Sequence, residues 1–78
     1  MEFVKNLSYI DICKRLNNRK VHFISDCELF PNFDVIVHVY QINLSKTNEI
    51  LFETKVLNNT HKHLTIGSNM KNLRFEIL

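Results

Sequence analysis

Apolar positions first recur at helical spacing, with Tyr9, Ile12, Cys13 and Leu16 on one stripe and Lys14, Arg15 and Arg19 turned away from it. Ser8 stands where a helix needs an oxygen cap. Asp11, three residues on, places a negative charge near the positive end of the helix, and Leu7 can staple onto Ile12. Asn17-Asn18 closes the helix, because asparagine tolerates the left-handed conformation that follows a C-terminal turn.

From Lys20 the period changes to two. Val21 and Phe23 alternate with His22 and Ile24, which predicts a first strand ending before Leu29-Phe30-Pro31-Asn32, since proline cannot donate to a ladder. The longest strand is expected over Phe33–Asn43. Val35, Val37 and Val39 lie on one face and Ile36, Tyr40 and Ile42 on the other, the pattern of a central strand covered on both sides. Ser45-Lys46-Thr47-Asn48 turns the chain into Glu49–Leu57, with Ile50, Phe52 and Val56 on one face. Asn58-Asn59-Thr60 turns it again into His61–Ile66, and Gly67-Ser68-Asn69 leads to a last strand. There Leu73, Phe75 and Ile77 alternate with Arg74 and Glu76. The expected fold is α+β: one N-terminal helix packed on a five-stranded antiparallel meander, residues 1–78 forming a single domain.

Seventy-eight residues leave room for one small core, and 45% apolar residues with one glycine and one proline argue for a folded chain. Such a core supplies a net stability on the order of 3–5 kcal/mol. A net charge of +2 is too mild to imply a nucleic-acid partner by itself. Its distribution says more: no Lys or Arg lies between Val21 and Ser45, while Asp26, Glu28 and Asp34 do. Two cysteines make no disulfide scaffold, and Cys13 on the apolar stripe reads as an inert core thiol. No leader-like segment and no membrane-length apolar run is present, so the expected compartment is a reducing cytoplasm. The Asn-x-Ser/Thr triplets at Asn6, Asn43 and Asn58 are then chance matches in an asparagine-rich chain.

Each candidate for chemistry has a plainer explanation. His61 and His63 could share a strand face, but two imidazoles without a nearby cysteine or acid make no tight metal site, and no metal or other cofactor is expected. Cys27 with His22 or His38 could suggest a nucleophile and base. Asp26 and Glu28 on either side would raise the thiol pKa, against such a role. Asp26, Glu28 and Asp34 could act as paired carboxylates, yet a chain this small has no deep pocket; an acidic rim around apolar residues fits a protein-binding surface or an ordinary solvated loop. Lys14, Arg15, Arg19 and Lys20 could contact nucleic acid, although a basic helix face turned to water is the commoner case. No catalytic residue is identified, and the chain is expected to act by binding.

Asn6–Leu78 resembles the uracil-DNA glycosylase inhibitor family of phages. The opening Asn6-Leu7-Ser8 before a helix is similar to that family's start, and Phe33–Leu78 lies on its pattern without a gap, matching at Asp34, Val37, His38, Asn48, Leu51, Leu64, Ile66 and Leu78. The resemblance implies inhibition by mimicry of DNA, with the protein occupying the DNA-binding cleft of a host glycosylase or another DNA-binding enzyme. It implies that Ser25, Asp26 and Glu28 face the cleft, while Leu29, Val37, Ile50 and Phe52 form an apolar pocket for the enzyme's wedging side chain. Thr65 stands where the family has an apolar residue. The chain departs from the family in its positive net charge and in the short stretch after Pro31, where the family has a second helix. The alternatives from the residues themselves are a small nucleic-acid-binding module using the basic helix, an inhibitor of another bacterial defence protein, or an assembly protein with a self-pairing strand edge.

Overall fold

The computed structural model describes residues 1–27, 33–57 and 62–78. The expected acidic-rimmed loop with Glu28 and Leu29, and the missing second helix, fall on 28–32 and lie outside the described residues, as does His61. Helix α1 spans Tyr9–Leu16 and buries Ile12 and Leu16. The Ser8 hydroxyl accepts from the Asp11 N–H at 3.2 Å, as its position predicts. The helix ends where Asn18 takes up φ 60°, in the left-handed region. Before it, β1 (Glu2–Phe3) leads into a single 3-10 turn at Val4–Asn6, whose Val4 is buried.

Five further strands follow: β2 Lys20–Ser25, β3 Phe33–Leu44, β4 Ile50–Val56, β5 His63–Gly67 and β6 Arg74–Ile77. The α+β class holds, but the sheet has six antiparallel strands in the order β1-β6-β2-β3-β4-β5, not the expected five-stranded meander. β2 to β5 do meander. β6, however, leaves the β5 side and inserts between β1 and β2, setting Phe75 opposite Phe23 and Ile77 opposite Val21. Alternation in a strand reports which side chains point inward, not which strand lies beside it. β1 is two residues long, too short to carry any period.

The expected coverage of β3 on both faces is also corrected. A register shift between Val39 and Gln41 adds a residue at Tyr40. The bulge inverts the phase, so Ile42 joins Val35, Val37 and Val39 on the core side, while Ile36 and Tyr40 stay exposed. Bulges also sharpen strand bending and twist, and here the sheet folds over itself. Phe23 is in register with Val35 and Phe52 with Ile42, seven residues apart along β3 and on opposite sides of it. A flat strand would separate those positions by about 23 Å. Instead the two rings meet at 5.1 Å between centroids, tilted by 50°. Ile12 and Leu16 of α1, with Val4, Ile66, Leu73 and Phe75, complete the core that this closure creates.

Candidate protein-binding surface

At the end of β2, Ser25 is buried and spent on the protein's own backbone: its hydroxyl donates to the Lys71 carbonyl at 2.8 Å and accepts from the Cys27 N–H. The neighbouring Asp26 is half-exposed but not free. Asn72 donates to one carboxylate oxygen at 3.1 Å and Arg74 approaches the other at 3.2 Å. The Asn72 hydrogen bond, and after it the Arg74 guanidinium, hold the Asp26 carboxyl below the usual carboxylate range. Asp34 is bonded to the His22 imidazole on the adjacent strand. Two of the three acids in the segment lacking Lys and Arg thus have basic partners, contributed by β2 and β6.

The apolar positions Val37, Ile50 and Phe52 are brought together, but inside the protein. Val37 and Phe52 are fully buried and Ile50 nearly so, in one cluster with Ile12, Leu16 and Phe23. The protein's own helix and rings occupy the space between helix and sheet at these residues. Thr65 points to the other side of the sheet, where its hydroxyl donates to Glu53 at 2.9 Å.

That other side, the outer face, is where accessible side chains converge. The ladder register aligns Lys20, His38, Lys55 and His63 directly across β2, β3, β4 and β5. Ile36 lies two residues from His38 along β3, opposite His22, with Leu57 beside it; the Leu57 N–H donates to the Ile36 carbonyl at 3.2 Å. Tyr40, placed by the bulge, meets the His63 ring edge-on at 5.9 Å. Ile36, Tyr40 and Leu57 are each about two-fifths exposed. A recess of about 410 Å³ runs beside Ile36 and Leu57, lined by these two with Lys20, Asp34, Val35 and Val56. Lys20, Lys55 and Arg74 balance Asp34, Glu53 and Glu76 in the strands of this face. The sequence signal for the surface is the second apolar set of β3, which reads as core until the sheet's other side proves to carry the helix.

The basic helix is partly engaged internally. Arg15 makes two hydrogen bonds to Glu2, at 2.7 and 2.6 Å, and lies over the Phe75 ring. Lys14 and Arg19 remain exposed. Cys13 and Cys27 are free and half-buried. Among the described residues no three His, Cys, Asp or Glu side chains gather as metal ligands, and no helix is long and apolar enough to cross a membrane. No family model matches the chain, and neither curated proteins nor solved structures give a significant match to it.

Proposed function

We propose that this protein works by stoichiometric binding, without chemistry of its own, and that it engages a partner protein through the outer face of its sheet. The supporting observation is the uncovered line of Ile36, Tyr40 and Leu57 within a charge-balanced polar frame. Apolar and aromatic anchors ringed by polar groups suit a protein partner, whereas a polyanion would call for excess positive charge. The resemblance extends the proposal to a DNA-handling enzyme as the partner, with uracil-DNA glycosylase first. Since Val37 and Phe52 are enclosed, a glycosylase would be met by surface contact and not by capture of its wedging side chain. The test is cleavage of uracil-containing DNA with equimolar protein, alongside Ile36→Asp. Inhibition lost in the variant supports the reading; undiminished cleavage with the unaltered protein removes that target.

A second reading, a nucleic-acid-binding module, is favoured by the row of Lys20, His38, Lys55 and His63 with Tyr40 beside it. It predicts retardation of single-stranded DNA or RNA that weakens steeply with salt. No retardation at low salt rules it out.

A further inference from the structure

The free edge of the sheet at β5 is built to pair, and we propose that it joins a second copy of this chain about a two-fold axis at Thr65. The hydrogen bonds at the ends of this ladder fix which groups face outward. The Val56 N–H donates to the Lys62 carbonyl at 3.0 Å and the Ser68 N–H to the Ile50 carbonyl at 2.8 Å. In an antiparallel pair the residues that exchange hydrogen bonds alternate with those that do not. With Lys55 opposite His63 and Thr54 opposite Leu64, Leu64 and Ile66 bond to β4, and His63, Thr65 and Gly67 turn their N–H and C=O groups away from it. Among the described residues no strand lies on that side.

Edges that must stay alone carry bulges, prolines, lysines or inward charges. His63-Leu64-Thr65-Ile66-Gly67 has none of these, and its pairing with β4 runs without a register shift. The same five residues are complementary to themselves when reversed. Centred on Thr65, the two Thr65 residues exchange hydrogen bonds with each other, and each His63 exchanges them with the partner copy's Gly67. On the core side Leu64 falls opposite Ile66, so half-buried and buried apolar side chains continue across the junction. On the outer face two threonines meet, a favourable cross-strand pair, and His63 comes opposite a glycine over which the Glu49 carboxylate lies, so an imidazole faces a carboxylate. A two-fold contact of this kind closes on itself, so the product is a dimer and not a fibre.

Five residues make a small contact, at the weak end of specific interfaces. Sedimentation equilibrium of the full chain between about 10 µM and about 1 mM, the range suited to such a contact, should show the apparent mass doubling from 9.3 kDa. Thr65→Lys leaves the monomer sound, because the new ammonium faces Glu53 across the ladder, but sets two like charges together at the axis. It should sediment as a monomer throughout, with an unchanged circular dichroism spectrum. Three results would overturn the proposal: a wild-type monomer at every concentration, equal dimerisation of both proteins, or growth beyond the dimer.

Discussion

The contact between Phe23 and Phe52 carries the claim that the sheet folds over itself, and it can be measured. Both rings are fully buried, with centroids 5.1 Å apart, and they come from strands on either side of β3. Truncating either to alanine would cost about 3–5 kcal/mol, as much as the whole domain's stability on the order of 3–5 kcal/mol, and would leave little to measure. Leucine is the better probe. Each of Phe23→Leu and Phe52→Leu should cost about 1–2 kcal/mol, within the ordinary span for core substitutions. With a urea dependence of about 1 kcal/mol per molar for a small protein, each should lower the unfolding midpoint by about 1–2 M. The double variant decides the matter. Buried aromatic pairs at this distance couple by about 0.5–1.5 kcal/mol beyond their area, so the double variant should be less destabilised than the sum of the singles by that amount. Strict additivity, within about 0.3 kcal/mol, would mean that the rings do not touch and that the bulge at Tyr40 does not close the sheet.

Removing the cap with Ser8→Ala should cost about 1 kcal/mol, read as a lower midpoint in thermal unfolding followed at 222 nm. Asn18→Ala should destabilise by about 1 kcal/mol because its backbone is left-handed at φ 60°, whereas Asn18→Gly should be close to neutral; equal effects of the two would contradict that conformation. Asp26 has a depressed folded pKa, so its contribution is present above the unfolded pKa and is lost as pH falls through the folded one. Asn72→Ala and Arg74→Ala should each move the Asp26 titration, followed by carboxyl carbon NMR, back up toward the usual carboxylate range, with the larger movement for Asn72→Ala.

Local chemistry was readable wherever one short stretch determined the outcome. The Ser8 cap, the Ile12–Leu16 stripe, the left-handed Asn18 and the inward Leu73 and Phe75 all follow from neighbours within a few residues. What depended on distant partners was not. Nothing around Asp26 announces Arg74, forty-eight positions away, and the acidic segment therefore looks more negative in sequence than in space. The positions Val37, Ile50 and Phe52 are apolar in sequence, and in space they fall in one buried cluster. Whether a partner or the protein's own helix fills that space is set by the folding-over of the sheet. The bulge itself leaves a trace that is ambiguous in sequence: apolar residues at 35, 37 and 39 give way to apolar residues at 42 and 44, a change of phase that an extra residue produces and that a strand with two apolar faces shows equally.

The place of β6 has a consequence for how the chain acquires its shape. Residues 74–77 pair with 21–24, so the ladder joining them closes a loop of about fifty residues, the kind of non-local contact that slows folding. During synthesis the ribosome delivers β2 and β3 well before that strand emerges. Until then one side of β2 stands open, with Phe23 lacking the Phe75 that will cover it. A nascent chain halted at that stage should be a preferred client of chaperones that hold exposed apolar surface.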